Sequence, residues 1–309
     1  MEGLVIKNTG NTYVVRTEDG NDIECKAKGT FRLKGIRSTS PVVVGDRVKV
    51  DLNPDFTSYI TKILDRKNYI VRRASNLSKQ AHILAANIDE ALLFITVHSP
   101  VTTTIFIDRF LIAAEAYSVP VCLVFNKMDL YDEDDSDYVD ALVNLYQTIG
   151  YTCQKTSLIN GVGVEELKKH IQNKITLLAG HSGVGKSLFI NEITGKERQR
   201  IGDISTVHQM GVHTTTFSEL IEINDGGFLI DTPGIKGFGT VNMEAEEISH
   251  YFPEIFKFSH KCRFHNCMHI NEPDCAVLEA IENHYISHSR YYSYLNILED
   301  IDTGEEKYR

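Results

Sequence analysis

Gly180-His181-Ser182-Gly183-Val184-Gly185-Lys186-Ser187 fits the pattern G-x-x-x-x-G-K-[ST], and its place in the chain constrains the fold more than any other feature. It follows an apolar run, Ile175 to Ala179, that reads as a buried strand, and precedes a helix-like run, Leu188 to Ile193. Glycines at these positions let backbone N–H groups converge on phosphate oxygens, and a helix N-terminus behind them adds partial positive charge. Lys186 is expected to neutralise the β- and γ-phosphates and Ser187 to ligand Mg²⁺. An α/β-hydrolase elbow, G-x-S-x-G, is excluded because residue 184 is Val rather than Gly.

Three more segments complete a nucleotide site. Asn126-Lys127-Met128-Asp129 follows an apolar strand, Val121 to Phe125, and reads N-K-x-D. The Asp129 carboxylate can accept from guanine N1–H and the exocyclic amine; adenine offers neither, so discrimination on the order of 10⁴ is expected. Thr156-Ser157-Leu158 can supply a backbone N–H to guanine O6. Asp231-Thr232-Pro233-Gly234 ends the strand at 228–230, where Asp231 can hold the water shell of Mg²⁺ and the Gly234 amide can reach a γ-phosphate. The candidate nucleotide-binding residues are therefore Asn126, Lys127, Asp129, Ser157, Leu158, the loop from Gly180 to Ser187, Asp231 and Gly234. In an ordinary GTPase the phosphate loop comes first and N-K-x-D late. Here the order is reversed, which a circularly permuted P-loop domain explains with the same sheet cut at a different loop.

Charge divides the chain further. The whole carries 32 Lys+Arg against 42 Asp+Glu, a net −10, which speaks against a simple polycation. Residues 1–73 hold 14 Lys+Arg against 9 Asp+Glu, whereas residues 237–309 hold 6 against 13. The basic head reads as about five short strands separated by turns, including Leu4-Val5-Ile6, Thr12 to Arg16 and Pro41 to Val50, and so predicts a small OB-type β-barrel. Lys28, Phe31, Arg32, Lys34 and Arg37 interleave cations with an aromatic, a pattern suited to phosphate contacts and base stacking and equally compatible with a solvated barrel face. Residues 69–86 read as a connector. Beyond them, Ala91 to Val97, a helical pattern from Ile105 to Tyr117, and Val121 to Phe125 form a βαβ unit.

Cys262-x4-Cys267-x-His269-x5-Cys275 places three thiols and an imidazole within fourteen residues, the donor set of a closed structural Zn²⁺ site. His265 competes with His269 at nearby spacing. Cys25, Cys122 and Cys153 are isolated and read as buried side chains. Tyr285, Tyr291, Tyr292 and Tyr294 in the tail read as core packing rather than stacking surfaces. His213-Thr214-Thr215-Thr216 lies where a switch threonine would close on Mg²⁺ and γ-phosphate, and spacing does not choose among the three threonines. Ile235 follows Gly234, where many small GTPases place a water-orienting Gln, so another group or a partner must orient water. His213 is the candidate. No apolar run approaches the roughly 18 residues of a membrane span, and no secretory leader is expected.

Together with Lys28-Gly29-Thr30-Phe31-Arg32, Val44-Gly45-Asp46, Ala85-Ala86-Asn87-Ile88-Asp89 and Gly211 to Thr216, the motif order resembles the circularly permuted ribosome-assembly GTPases of the small-subunit-dependent GTPase A (RsgA) family over essentially the whole chain. The resemblance implies an α/β chain with an OB-type RNA-binding barrel at 1–70, a permuted GTPase domain at 71–236 and a helical zinc-binding module at 237–309. It implies GTP hydrolysis stimulated by the small ribosomal subunit during late maturation, with Lys186, His213 and Thr215 as candidate catalytic residues. Ser187 and Thr215 would ligand Mg²⁺; Cys262, Cys267, His269 and Cys275 would ligand zinc, the family pattern favouring His269. Expected partners are GTP or GDP, the small subunit and its rRNA, and the expected setting is a cytoplasmic monomer. The competing readings are an RNA-binding module with a structural, non-hydrolysed nucleotide, and a nucleotide kinase, which the guanine reader disfavours.

Overall fold

The computed structural model describes residues 1–28, 41–53, 57–73, 81–195, 218–231 and 243–303. At the N-terminus, alternation of apolar and polar residues produces β1 (Glu2–Asn8), β2 (Tyr13–Thr17), β3 (Asp22–Ala27), β4 (Arg47–Asp51) and β5 (Ser58–Ile63). Val5, Val15, Cys25, Val48 and Ile60 point into a common core. The order β1-β2-β3-β5-β4 closes through a β1–β4 pairing, with β3 and β5 parallel, which is the expected five-stranded OB-type barrel.

Two stretches differ from the sequence reading. Pro41 to Val50 is not one strand: Val42, Val43 and Val44 are buried, but the chain turns at Gly45, whose φ is +85°. A Cβ at Gly45 would lie 2.0 Å from the Ala86 carbonyl oxygen, so only glycine permits this approach. The turn carries the Asp46 carboxylate inward, where it accepts from the Val43 amide at 2.9 Å and from Arg66 Nε and Nη2 at 2.6 and 2.7 Å. Residues 69–86 are more than a connector. They contain an antiparallel pair, β6 (Tyr69–Arg73) and β7 (Ala81–Ala86), and Ala85 bridges back to Val44.

The apolar runs of the central region become β8 (Glu90–Ile95), β9 (Val121–Phe125), β10 (Thr152–Lys155), β11 (Ile175–Ala179), β12 (Ser218–Glu222) and β13 (Phe228–Asp231). Their order is β10-β9-β8-β11-β13-β12, parallel except for β12. β8 and β9 are buried along their whole length because helices cover both faces. Leu93, Ile95, Leu123 and Phe125 pack with α1 (Thr104–Ala116) and α2 (Glu133–Ile149). Leu92, Phe94, Cys122 and Val124 pack with α3 (Val164–Ile171) and α4 (Lys186–Thr194). The acidic run after residue 131 starts α2, with the Asp132 side chain accepting from the Asp135 amide at 2.9 Å. β12 also pairs with β1, aligning Lys7 with Glu219, so the central sheet and the barrel share one eleven-stranded hydrogen-bonded system.

At the C-terminus, α5 (Pro253–Ser259), α6 (Ala276–Glu282) and α7 (His288–Thr303) enclose Phe252, Ile255, Ile281 and Tyr294, and Ile112 of α1 enters the same core. Arg290 on α7 is fully buried in that seam. Its Nη1 donates to Asp108 of α1 at 2.6 Å, and its Nε and Nη2 donate to Glu254 of α5 at 2.6 and 3.2 Å. Tyr146 of α2 donates to the same Asp108 oxygen at 2.8 Å, and the guanidinium lies 4.6 Å from the Phe252 ring centroid. Arg109 and Asp300 form a second ion pair between α1 and α7. Truncating one member of a buried ion cluster leaves the others uncompensated. We expect Arg290→Ala to cost about 3–5 kcal/mol, read as a lowered urea midpoint by far-ultraviolet circular dichroism. Lys49→Ala, at an exposed barrel ion pair with Glu2, should change the midpoint little by comparison.

Candidate functional site

The carboxyl ends of β9, β10, β11 and β13 converge, as the open edge of a parallel sheet provides at a switch in strand order. Gly180 leaves β11, the loop wraps over to Gly185, and α4 begins at Lys186. Gly185 adopts φ +112°, and a Cβ there would lie 2.3 Å from Asn126 Nδ2. Glycine is therefore required because the loop from Gly180 to Ser187 touches the segment from Asn126 to Asp129. Asn126, 2 % exposed, makes that contact: its Nδ2 donates to the Val184 carbonyl at 2.8 Å. Its Oδ1 accepts from Thr156 Oγ1 at 3.0 Å, and its own carbonyl accepts from Tyr131 Oη at 2.7 Å. One carboxamide thus joins segments 126–129, 156–158 and 180–187.

Asp129 accepts from Ser157 Oγ at 2.5 Å, which orients the carboxylate between the two base-reading segments. Ser157 in turn accepts from the Asn160 amide at 3.2 Å, and Leu158 lies against Gly185. Lys127 takes a left-handed φ of 68°, and its Nζ donates to the Ser99 carbonyl at 2.5 Å. Lys186 Nζ donates to the carbonyls of Gly180 and His181 at 2.7 and 2.6 Å, spanning the loop it belongs to. Val184 is fully buried, whereas Ser182 and Gly183 face solvent and His181 and Ser187 are half-buried. Asp231 ends β13 beside this loop's strand, pairing in register with Leu178. Ser187 and Asp231 are the described residues with oxygens suited to Mg²⁺, which a GTPase requires. His213, Thr215 and Gly234 lie outside the described residues, as do Phe31, Arg32, Lys34 and Arg37. Lys28 is described and exposed.

Sequence reasoning missed a third wall, the segment between β8 and α1. Ser99 holds Lys127, Pro100 lies beside Gly183, and the Phe106 ring sits 3.9 Å from the His181 ring centroid at 31°. These residues carry no motif, and the only signal for them was their position after a fully buried strand.

A second cluster forms near the C-terminus. Cys262, Cys267, His269 and Cys275 place their ligand atoms within 4.8 Å of one another, a set able to hold a metal ion. Cys262 Sγ lies 3.9 Å from Cys275 Sγ, and His269 Nδ1 lies 3.6 and 3.5 Å from these two sulfurs. His269 is 2 % exposed and inside the cluster, whereas the competing His265 is exposed. Burial pushes the Cys267 thiol up to about 12 and holds His269 below the usual imidazole range. The Glu272 carboxylate accepts from the amides of Met268, Ile270 and Asn271 at 2.6, 2.8 and 3.1 Å. Burial raises its pKa, but these donors outweigh burial and hold it below the usual range. Tyr291 and Tyr294 donate to the carbonyls of His269 and Met268, each at 2.7 Å, tying the loop to α7. Those two tyrosines pack as expected, while Tyr285 and Tyr292 are 72 % and 56 % exposed.

Comparison with known proteins agrees with this geometry. The RsgA GTPase family matches residues 63–241, and the RsgA N-terminal domain matches residues 2–60. A small ribosomal subunit biogenesis GTPase, RsgA 2, of Bacteroides thetaiotaomicron is 62 % identical over all of this chain and 99 % of its own. The corresponding protein of Phocaeicola vulgatus is 60 % identical over the same shares. The crystal structure of YjeQ from Thermotoga maritima superposes with a TM-score of 0.79 at 36 % identity, covering 99 % of each chain. That of YloQ, a circularly permuted GTPase, gives 0.76 at 29 %, covering 99 % of this chain and 96 % of its own.

Removing the Asn126 carboxamide should loosen base and phosphate segments together, leaving buried partners unsatisfied. Asn126→Ala is expected to weaken guanine nucleotide binding by about 1–3 kcal/mol, measured by titration with a fluorescent GDP analogue.

Proposed function

The chain belongs to the RsgA GTPase family, and we propose that it binds the small ribosomal subunit, hydrolyses GTP in response to it and assists its late maturation. The observation that supports this reading most directly is full-length identity of about 60 % to two small ribosomal subunit biogenesis GTPases, together with a complete, permuted set of guanine-nucleotide motifs. In this reading the chain divides into an RNA-binding barrel at 1–70, a GTPase domain at 71–236 and a zinc-binding module at 237–309. It works in the cytoplasm as a monomer; among the described residues no helix is long and apolar enough to cross a membrane.

The proposed roles follow from residue chemistry. Asn126, Lys127, Asp129, Ser157 and Leu158 read guanine. The loop from Gly180 to Ser187, with Asp231 and Gly234, holds the phosphates. Ser187 and Thr215 would hold Mg²⁺, which neutralises phosphate charge when bound. Lys28, Phe31, Arg32, Lys34 and Arg37 contact rRNA. Ile235 cannot orient a water, so His213 beside the switch threonine takes that part.

Zinc is the proposed occupant of the Cys262–Cys267–His269–Cys275 cluster. Tetrahedral Zn–S bonds of about 2.3 Å place sulfurs roughly 3.8 Å apart. The Cys262–Cys275 separation of 3.9 Å fits that edge. Four protein donors leave no open position, so the metal would be structural.

Phosphate release measured with purified small subunits, large subunits and neither tests the activity. Stimulation confined to small subunits is expected, and equal rates in all three samples would overturn the reading. His213→Ala should keep nucleotide affinity and lose on the order of 10²-fold in stimulated turnover. Elemental analysis should find one zinc per chain. Stripping it with a chelator should raise hydrogen exchange across residues 262–275, because the metal's binding free energy is also folding free energy for this loop.

A further inference from the structure

The described portion of the nucleotide site includes one contact that the family motifs do not contain, the stack between Phe106 and His181. Phe106 lies in the first turn of α1, whose start is fixed by Thr103 accepting from the Phe106 amide at 3.3 Å. Its ring lies 3.9 Å from the His181 imidazole, centroid to centroid, with the planes 31° apart. The His181 carbonyl accepts from Lys186 Nζ at 2.6 Å. A ring on α1 therefore fixes the side chain of the same residue whose peptide oxygen positions the phosphate-binding ammonium.

The helix that carries Phe106 is itself held firmly. Asp108 and Arg109, two and three residues on, are joined to Arg290 and Asp300 of α7. Phe110 and Leu111 are buried in the core of the sheet. On the outer side of the loop, Ser182 and Gly183 are exposed. A ring packed at this distance restricts the rotamers open to the His181 side chain, and rotamer choice is coupled to the backbone conformation of the residue that carries the carbonyl.

We propose that Phe106 is a positioning residue for GTP hydrolysis: by stacking on His181 it fixes the peptide that holds Lys186 over the β- and γ-phosphates. This inference rests on residues 180–187 being the phosphate site. The stack acts on phosphate geometry and not on the base, because the guanine-reading Asp129 is held separately by Ser157. Displacement of a positioned group by about 1 Å can lower a rate by up to two orders of magnitude, so the effect belongs in turnover at saturation.

The test uses the full chain without ribosomal subunits, so its outcome is independent of the subunit reading. Single-turnover GTP hydrolysis at saturating nucleotide, affinity for a fluorescent GDP analogue and the urea midpoint are measured for Phe106→Leu, Phe106→Tyr, His181→Ala and the Phe106→Leu/His181→Ala double variant. Lys186→Ala is the control for the phosphate site itself, and its failure to impair hydrolysis would remove that premise rather than the stack alone. Phe106→Leu is expected to lose roughly tenfold in the saturating rate, and Phe106→Tyr, which keeps the ring, to recover it. His181→Ala should lose a similar factor and the double variant no more than either single. A Phe106→Leu protein with a lowered urea midpoint and an unchanged saturating rate would overturn the proposal. So would additive losses in the double variant. If Phe106→Leu does not fold, a saturating rate for His181→Ala equal to the unmodified protein's overturns it on its own.

Discussion

The carboxamide of Asn126 holds together loops that reach the site from three separate stretches of chain. Its nitrogen is bound to Val184, its oxygen to Thr156, and its backbone carbonyl to Tyr131. These partners lie in the loops that follow the carboxyl ends of the parallel strands β9, β10 and β11, so the contact depends on strand order in space and not on order in sequence. That is why the N-K-x-D segment can precede the G-x-x-x-x-G-K-S loop in the chain and still lie against it. The close approach also explains the left-handed Gly185, since any side chain there would displace Asn126.

Around this point the GTPase is stiffened from two directions. Helices α1 to α4 bury both faces of the sheet, as the uniformly apolar β8 and β9 require. From the far side of α1, Arg290 joins α7 to α1 and α5 through two carboxylates, one of which also accepts from Tyr146. A buried cluster of this kind contributes modest net stability, because desolvation offsets much of the attraction. It does impose one geometry, since the forked guanidinium reaches both carboxylates in a single arrangement. The metal-capable loop is then tied to α7 by Tyr291 and Tyr294, so the route from cluster to nucleotide site passes through helices.

Much of this was legible in the sequence because the signals are local. Buried strands were visible as apolar runs, α1 as a helical pattern, and the nucleotide loops as motifs with characteristic neighbours. The barrel was visible from short alternating strands, and its closure was an inference from size. What stayed hidden depends on partners far apart in the chain. Arg290 and Asp108 are separated by 182 positions, and nothing in a stretch of Ser-Arg-Tyr-Tyr announces a fully buried cation. The break at Gly45 was masked by a run of valines that suits a strand, until the approach of Ala86 forces the turn. His269 and His265 could not be separated by spacing; one is enclosed with the cysteines and the other faces water. Tyr291 and Tyr294 belong to the core while Tyr292 does not, because helical phase along α7 divides residues that composition treats alike; Tyr285 precedes that helix and is exposed.

The pairing of β1 with β12 also settles what happens at the rims of the sheet. An open sheet leaves unpaired amides and carbonyls along its outermost strands, and these can recruit strands from other chains. Here β1, which belongs to a barrel that closes on itself, covers the start of β12 at Ser218 and Glu219. The remaining rim is β10, four residues long and carrying Thr152, Gln154 and Lys155. A short, polar border of this kind is a poor template for strand addition.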